Sequence, residues 1–318
     1  LAQLADHAEA IAAAGYLPLI TTPVRLSDDQ AAAQIAAVQA QLEQPLTIAG
    51  YDPVSNTTTT WTVPAETLAA WLRVDSSGGQ TRLSLDESQF GAYLTQLEGS
   101  LTNGDTFWIS GQAYNLTERW QNGEPYTVIL KEPASTYTIQ AGDTLLKISY
   151  QVDIPYWMIA AANPEIDPDA LPVGADLVIP SRSDLLPEPV VLGKRIVISI
   201  SQQRMTIYEN GSVIREFVIS TGVDRSPTQP GVFQIRTHEL NAYASVWDLY
   251  MPHFLGIYEA WPGFMNGIHG LPTLSNGTRL WESILGKPAS YGCIILSLDN
   301  AAWLYTWAET GVVVEIQA

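Results

Sequence analysis

The pattern of hydrophobic and polar residues is most regular in the last third of the chain. Residues 205–217 contain two alternating runs separated by Asn210-Gly211, and this dipeptide between such runs predicts a type I′ β-hairpin. Further strands and one amphipathic helix are predicted at 196–200, 232–235, 312–316 and 298–309. We therefore expect residues 193–318 to form a mainly β domain.

The middle of the chain changes from strand to helix and back within about 45 residues. The predicted elements are a strand over 137–141, a helix over 144–150, a helix over 154–162 and a strand over 177–180. Pro155 stands in the first turn of the second helix, where proline is tolerated. Residues 137–181 are thus predicted to be a small β-α-α-β module.

The first 133 residues contain both the alternating pattern typical of strands and the spacing of apolar residues typical of helices. Helices are predicted at 1–14, 27–44, 64–72 and 86–97, and strands at 46–48, 57–63, 83–85 and 126–130. This α+β region shows no catalytic constellation, so we interpret it as a spacer. Pro133 to Ser135 predicts a short linker, and the Pro-rich segment 181–192 predicts an extended, semi-rigid one.

Composition narrows the classes of function. The chain has 318 residues with 15 Lys and Arg against 33 Asp and Glu, a net charge of −18. Such an acidic chain is repelled by a polyphosphate backbone, so nucleic acid is not an expected partner. The sequence contains no run of about 18 consecutive apolar residues, so no segment of it is predicted to span a membrane. The first residue is Leu1, which leaves room for a signal or membrane anchor upstream.

The single cysteine is the main candidate for chemistry. A lone cysteine is usually a buried, inert core residue. Cys293, however, follows a Gly-containing turn, Ser290-Tyr291-Gly292, where a thiol can be exposed. His269 lies 24 residues upstream and is one of only four histidines. A neutral imidazole beside a thiol can accept its proton and form a thiolate–imidazolium pair, the attacking species of cysteine enzymes.

These residues resemble the L,D-transpeptidase catalytic domain family. That family carries His-Gly, then Ser-His-Gly-Cys-Ile/Val-Arg, then a helix that begins near an Asp. Here the corresponding segments are Ile268-His269-Gly270, Ser290 to Leu296, and Asp299 to Tyr305. There are two departures: Tyr291 replaces the family His before Gly-Cys, and Ile295 replaces the family Arg. The resemblance spans about residues 193–318, and residues 1–133 weakly resemble the peptidoglycan-binding-type region that precedes such domains.

The resemblance implies a two-step acyl transfer without cofactor or metal. Cys293 attacks the L,D-peptide bond of a peptidoglycan tetrapeptide stem and forms a thioester, which an amine acceptor then resolves. His269 acts as base and acid, oriented by the carbonyl of Gly270. The amides of Gly292 and Cys293, with Tyr291, hold the oxyanion, and Ser290 bonds within the loop. Carbapenems acylate the nucleophile of this family.

An aromatic stretch precedes His269, and we weigh two interpretations of it. It is either a lid or wall of the acyl-donor channel, or a loop that folds its rings onto the β core. Met251-Pro252 and Trp261-Pro262-Gly263 predict irregular structure, which favours a functional loop. The candidate substrate-binding residues are Tyr250, His253, Tyr258 and Trp261.

Residues 137–181 resemble the lysin motif (LysM), an N-acetylglucosamine-binding module of cell-wall proteins. The matching features are Tyr-x-Ile-x-x-Gly-Asp-Thr-Leu from Tyr137, a central Asn163-Pro164, and a last strand ending in Ile-Pro. The resemblance implies a sugar groove between two loops, with candidate residues Gly142, Asp143, Thr144, Leu145, Asn163, Pro164 and Ile166. The alternative is a degenerate module that only positions its neighbour.

Other cysteine enzymes fit less well. Papain-like wall endopeptidases place Cys before His, and sortases have a longer spacing and an Arg after the Cys, which this chain lacks. The sequence therefore predicts an extracytoplasmic, wall-associated L,D-transpeptidase whose partners are stem peptides and glycan, with roles in wall biogenesis and cell shape. Two alternatives stay open: a catalytically impaired peptidoglycan-binding protein, and an L,D-carboxypeptidase or a variant that attaches proteins to the wall.

Overall fold

The computed structural model describes residues 28–75, 82–108, 116–280 and 282–318. The helix predicted at 1–14 lies outside these residues. The chain divides into two compact units, one of Leu1–Leu46, Thr62–Gly91 and Asn115–Pro125, and one of Thr47–Trp61, Ala92–Tyr114 and Tyr126–Ala318. Within the described ranges, no helix is long and apolar enough to cross a membrane.

The described helices are α1 (Asp28–Leu42), α2 (Ala65–Trp71), α3 (Glu87–Glu98), α4 (Leu116–Asn122), α5 (Leu145–Val152), α6 (Tyr156–Ala162) and α7 (Leu298–Trp307). The strands of the first 180 residues are β1 (Thr47–Asp52), β2 (Thr57–Thr62), β3 (Leu72–Asp75), β4 (Arg82–Leu85), β5 (Thr106–Trp108), β6 (Tyr126–Lys131), β7 (Ser135–Thr138) and β8 (Asp176–Ile179). Later strands are β9 (Lys194–Ser199), β10 (Arg204–Glu209), β11 (Ser212–Val218), β12 (Gly231–Gln234), β13 (Thr237–Ala244), β14 (Leu249–Trp261), β15 (Phe264–Gly270), β16 (Thr273–Leu274), β17 (Ile294–Leu296) and β18 (Val313–Gln317).

The described residues of the first unit are mostly helical and include the β3–β4 hairpin, which pairs antiparallel from Leu72↔Leu85. Trp120 on α4 is fully buried, and its indole N–H donates to the carbonyl of Gln44 at 3.1 Å. Leu46 and Leu68 are buried in the same unit. A buried indole that finds a hydrogen-bond acceptor contributes apolar area without leaving a donor unpaired.

The second unit begins with a sheet of order β2-β1-β6-β5. This sheet is tied to β9 by Arg195, which is buried. Its guanidinium donates to Glu315 at 2.7 and 2.9 Å and to the carbonyl of Pro53 at 2.9 Å. Part of the predicted spacer region therefore packs against the C-terminal domain.

The predicted β-α-α-β module is present, with β7 paired antiparallel to β8 around α5 and α6. Thr144 caps α5 by accepting a hydrogen bond from the Lys147 amide at 3.1 Å. Ile148 and Ile159 are fully buried and belong to one hydrophobic cluster with Phe233 and Leu255 of the C-terminal domain. The side-chain N–H of Trp157 donates to the Glu259 carbonyl at 2.9 Å across the same contact.

The C-terminal domain is mainly β, as predicted. One sheet has the order β11-β10-β9-β18-β12, and the other has β13-β14-β15-β17, with β16 beside β14. The Asn210-Gly211 hairpin is confirmed, because Glu209 pairs with Ser212 across a two-residue turn and both turn residues have positive φ. Helix α7 packs against β14 and β15.

Most of the aromatic stretch is strand. Met251-Pro252 lies in a strand and not in the predicted irregular structure, whereas Pro262-Gly263 forms the turn between β14 and β15, as predicted. Pro252 lies inside β14 and pairs with Asn241. His253 has φ of 55°, so the ladder with β13 is interrupted there. Proline is tolerated in a strand next to such an irregularity, where a ladder hydrogen bond is not needed.

The linker segment 181–192 packs against the β core of the C-terminal domain, whereas the sequence predicts an extended segment. It contains a 3-10 turn, Arg182–Leu185, and buries Leu186 and Val190. Gln234 clamps its backbone by accepting from the Glu188 N–H at 2.9 Å and donating to the Glu188 carbonyl at 3.0 Å. Apolar residues among the prolines hold this segment against the β core.

Candidate active site

Cys293 and His269 line one cavity of about 590 Å³ in the C-terminal domain. Its walls are mostly apolar and come from β13, β14, β15, the cysteine loop and the loop after β11. Two charged residues, Arg225 and Glu239, are among the lining residues. The described residues hold no cluster of three His, Cys, Asp or Glu side chains arranged for a metal ion.

Parallel pairing of β15 with β17 brings the thiol and the imidazole to one sheet face. His269 is paired with Ile295 and Ile268 with Ile294, so Gly267 stands level with Cys293. Because side chains alternate between faces along a strand, residues 267 and 269 of β15 share a face with residues 293 and 295. This register explains how two motifs 24 residues apart meet at the cavity.

The imidazole of His269 is held by its own chain. The residue is 3% exposed, and its Nδ1 lies 2.7 Å from the Gly270 carbonyl oxygen. Because a carbonyl only accepts, Nδ1 carries the proton and Nε2 is free to accept one. Burial lowers the pKa of His269 to about 4, and the hydrogen bond to Gly270 opposes part of that shift. The ring is therefore neutral at pH 7.

The thiol of Cys293 is neutral in the resting site. The residue is half-buried, and burial raises the pKa of its thiol to about 11, against a smaller opposing effect from a hydrogen bond of the Gly267 backbone. Its Sγ lies 3.5 Å from Oδ1 of Asn266, which accepts the S–H hydrogen bond. The resting pair is thus thiol and neutral imidazole.

The cysteine loop is closed by Ser290. Its hydroxyl donates to the carbonyl of Cys293 at 2.6 Å and accepts from the amide of Gly292 at 3.2 Å. Gly292 has φ of +110°, and a Cβ there would come within 2.6 Å of Nδ2 of Asn266. The Gly292 amide is engaged inside the loop, whereas the amide of Cys293 has no hydrogen-bond acceptor among the described residues.

The two departures from the family motif have different surroundings. Ile295 is 5% exposed and packs with Leu271 and Ile284, so no cation extends from position 295 into the cavity. Tyr291 is 45% exposed; its ring stacks on Trp247 with centroids 5.7 Å apart, and its hydroxyl accepts from Arg225 at 3.1 Å. The positively charged side chain at this cavity is therefore Arg225, in the loop after β11, and not a residue at position 295.

The four substrate-binding candidates do not come together at the cavity. Tyr258 is buried behind the thiol, and His253 packs edge-on against Tyr305 of α7 with ring centroids 5.5 Å apart. Tyr250 pairs with Tyr243, and Trp261 stacks on Phe264 with ring centroids 4.1 Å apart. Tyr243 and Phe264 line the cavity, but none of the four candidates is among the lining residues.

The candidate glycan-binding side chains of residues 137–180 are largely engaged within their own module. The Asp143 carboxylate accepts from the Tyr137 hydroxyl and the Gln140 amide, both at 2.8 Å, and pairs with Lys147 at 2.9 Å. Asn163 bonds to the carbonyls of Ile159 and Val178 and to the Val178 amide. Leu145 is buried in the hydrophobic core, Thr144 caps α5, and Gly142 is exposed.

Sequence reasoning missed Asn266 and Arg225. Asn266 stands three residues before His269 on the same strand, and that proximity was the one available signal. Arg225 reaches the cavity from a turn that is distant in sequence from both motifs, whereas Trp247, which also lines the cavity, belongs to the aromatic stretch for which a channel wall was one of the two interpretations. Only the folded sheets bring them together.

Comparison with known proteins agrees with this geometry. Residues 193–316 match the family model of the L,D-transpeptidase catalytic domain (YkuD), and residues 137–180 match that of the LysM domain. The Bacillus subtilis (strain 168) protein named "Putative L,D-transpeptidase YkuD" is 28% identical over 185 residues, 57% of this chain and 98% of that protein. The "Putative sporulation-specific glycosylase YdhD" of the same organism is 36% identical over 91 residues, 26% of this chain and 22% of that protein.

Two L,D-transpeptidases are among the solved structures that are similar to this chain. One from Mycobacterium smegmatis is 24% identical, with a TM-score of 0.33, and the match covers 40% of this chain and 59% of that one. A Cys-to-Ser mutant of the Enterococcus faecium enzyme is 19% identical, with a TM-score of 0.35, over 89% and 99% of the two chains. From the family models, residues 137–180 are a LysM domain and residues 193–316 belong to the L,D-transpeptidase catalytic-domain family.

Proposed function

We propose that the protein is a cysteine acyltransferase that acts on peptidoglycan stem peptides. Cys293 attacks the carbonyl between the L-centre of the third stem residue and the terminal D-residue, and the acyl group then passes from the thioester to an amine acceptor. The observation that carries the proposal is the placement of Cys293 and His269 in one cavity, with Nε2 of His269 free.

The protonation states favour proton transfer during attack rather than a preformed ion pair. As Sγ bonds to the carbonyl carbon, its proton moves to Nε2 of His269, and the carbonyl oxygen takes the negative charge. The C–N bond then breaks, and the imidazolium returns that proton to the departing D-amino acid. The acceptor amine repeats the sequence in reverse and releases the thiol.

The oxyanion donor best placed for this step is the amide of Cys293. It lies next to the attacking sulfur, whereas the Gly292 amide is engaged with Ser290. Preorganised donors of this kind contribute about 3 kcal/mol to transition-state stabilisation. Ser290 serves this amide indirectly, because its hydrogen bond to the Cys293 carbonyl holds the turn.

The cavity walls suit a stem peptide with a carboxylate. Trp247, Phe264 and Met251 provide apolar surface for the peptide body. Arg225 makes no ion pair with a described acidic side chain, and its guanidinium lies over the ring of Tyr291. A planar guanidinium can bind a carboxylate with two parallel hydrogen bonds. We assign Arg225 to a carboxylate of the acyl donor, in place of the absent family arginine.

The LysM domain would bring this site to the glycan strand. Because Asp143 and Asn163 are engaged internally, contacts to an acetamido group would come from exposed backbone around Gly142 and from the loop of Asn163, Pro164 and Ile166. This role implies an extracytoplasmic location at the cell wall.

The test uses defined disaccharide-tetrapeptide stems and mass spectrometry. We expect cross-linked dimers and released D-amino acid from the wild type, a carbapenem adduct on Cys293, and none of these from Cys293→Ala. Released D-amino acid without dimers would indicate a carboxypeptidase instead. Absence of both adduct and products, beside an active relative as control, would indicate an impaired binding protein and overturn the proposal.

A further inference from the structure

Asn266 separates the nucleophile from the protein core. It lies on β15, is 3% exposed, and is among the cavity-lining residues. Its Oδ1 is 3.5 Å from Sγ of Cys293, and its Nδ2 is 3.1 Å from the hydroxyl of Tyr258. A Cβ on Gly292 would come within 2.6 Å of the same Nδ2. The carboxamide is thus confined on three sides.

Tyr258 supports the carboxamide from behind. It is buried on β14, and its ring stacks on Phe233 with centroids 4.5 Å apart. Its hydroxyl oxygen accepts from the Gln229 amide at 2.9 Å and from Nδ2 of Asn266. Both neighbours are donors, so the hydroxyl proton has no acceptor among the described residues. A buried donor without an acceptor costs free energy.

A second orientation of the carboxamide gives the Tyr258 hydroxyl proton an acceptor. The amide oxygen and nitrogen have nearly the same size, so turning the group by about 180° fits the same space. In that orientation the Tyr258 hydroxyl donates to Oδ1, and Nδ2 donates to Sγ. The first orientation suits a thiol, which has a proton to give. The second suits a thiolate, which can only accept.

We propose that Asn266 is a further catalytic residue, whose carboxamide accepts from the thiol of Cys293 at rest and turns to donate to the thiolate, with Tyr258 as the positioning residue that fixes the second orientation. The proposal rests on the proposed function in one respect, that Cys293 is the nucleophile. The carboxamide then holds Sγ in place both before and after its proton leaves for His269.

A hydrogen-bond donor to the thiolate is important because the surroundings of Cys293 disfavour the charged form. Burial disfavours the thiolate, and the backbone of Gly267 supplies one hydrogen bond to it. Hydrogen bonds to a charged group are about twice as strong as neutral ones. Burial also keeps the Tyr258 pKa above its ordinary range, so its hydroxyl remains a donor at all working pH values. The titratable and charged groups facing the thiol or its cavity are His269, Tyr243, Tyr258, Tyr291, Arg225 and Glu239.

The experiment measures the rate at which iodoacetamide alkylates Cys293 from about pH 6 to about pH 11, read by intact mass. Cys293 is the sole cysteine, so the signal has one source. The variants are Asn266→Ala, Asn266→Leu, which keeps the volume without polar atoms, and Tyr258→Phe. Asn241→Ala, an exposed asparagine on neighbouring β13, is the matched control.

We expect both Asn266 variants to raise the apparent thiol pKa, which lowers the alkylation rate at neutral pH about tenfold or more. Tyr258→Phe should give a smaller rise in the same direction, and Asn241→Ala none. An unchanged or lowered thiol pKa in Asn266→Leu, with an unchanged melting temperature, would overturn the proposal. If Asn266→Ala does not fold, Tyr258→Phe decides the same question.

Alkylation needs no stem peptide, so this outcome is independent of whether the protein cross-links. A raised thiol pKa together with no turnover on any stem would leave the Asn266 role standing and defeat the proposed function. Turnover that survives Asn266→Leu with unchanged kcat and KM would defeat the role of Asn266 and leave the proposed function intact.

Discussion

In the LysM domain the motif side chains bond to their own module, whereas in the catalytic domain the motif side chains face a cavity. Asp143 and Asn163 have all their strong hydrogen-bonding groups engaged within residues 137–180. Cys293 and His269 have only part of theirs engaged, and Nε2 of His269 is free. One motif therefore stabilises the fold of its domain, whereas the other supplies the proposed reactive groups of the next domain.

The difference follows from how each module is stabilised. A unit of about 45 residues has a small core and depends on side-chain clamps such as Asn163. The C-terminal domain has two sheets and a large core, so it can leave polar groups free at a cavity. Four substitutions test this contrast, described from the largest expected effect to the smallest.

Removing the base should abolish most turnover without unfolding the catalytic domain. His269→Ala loses the proton acceptor, so we expect kcat on stem peptides to fall about 10²- to 10⁴-fold. Because the pKa of His269 is lowered to about 4, its ring stays neutral on acidification to about that pH and takes a proton only below it. Wild-type turnover should therefore lose this base only below about pH 4. His238→Ala, which lies against Tyr305, is the control, and unchanged turnover in His269→Ala would refute the assignment.

Removing the Asn163 side chain should unfold part of the LysM domain without changing turnover in the catalytic domain. Asn163→Ala strips the Val178 amide and two carbonyls of their partners, so we expect a loss of about 3 kcal/mol in local stability. Hydrogen exchange at Val178 measures it. Val173→Ala, 67% exposed in the same module, is the control. A large drop in turnover on a soluble stem would contradict the separation of roles.

Removing the cavity cation should weaken substrate binding more than catalysis. Arg225→Ala is expected to raise KM about 5-fold with a smaller change in kcat, because an exposed charged contact contributes about 1 kcal/mol. Stems with amidated carboxylates should show no difference between wild type and variant. Arg215→Ala, whose guanidinium lies over Trp303, serves as control. If wild type and Arg225→Ala have equal KM values for stems with free carboxylates, Arg225 does not bind the substrate.

Removing one hydrogen bond between the two domains should have the smallest effect. Trp157→Phe deletes the N–H donor to the Glu259 carbonyl, and we expect a loss of about 1 kcal/mol in unfolding free energy. Calorimetry should still show residues 137–318 melting in one transition. Two separate transitions in the wild type would show that the shared hydrophobic cluster does not couple the domains.

Local patterns predicted most of the secondary structure. The Asn210-Gly211 hairpin, the first helix of the β-α-α-β module and helix α7 depend on neighbouring residues, and each is present. Irregular structure was wrongly predicted at Met251-Pro252, because proline normally excludes a central strand, whereas the turn predicted at Pro262-Gly263 is present. The left-handed conformation of His253 beside Pro252 accommodates the proline, and sequence alone does not reveal that conformation.

The site was only partly predictable for a related reason. Cys293 and His269 follow from residue type and motif spacing, since nucleophile and base chemistry requires those side chains. Asn266 meets Sγ of Cys293 across 27 positions through parallel pairing of β15 and β17. Arg225 enters from the loop after β11, which no motif connects to the cysteine. Non-local pairing leaves no periodic signal in the chain.

The sequence by itself determined the elements that close within a few residues and the two groups whose chemistry is rare, the lone thiol and a glycine-flanked imidazole. The tertiary structure decided which side chains the LysM domain uses internally, which residues line the cavity, and which amide contacts the thiol. The physical reason is the sequence separation between the residues that interact. Turns and caps are set by backbone hydrogen bonds between near neighbours, whereas burial, pKa and cavity shape depend on strands that pair over long separations.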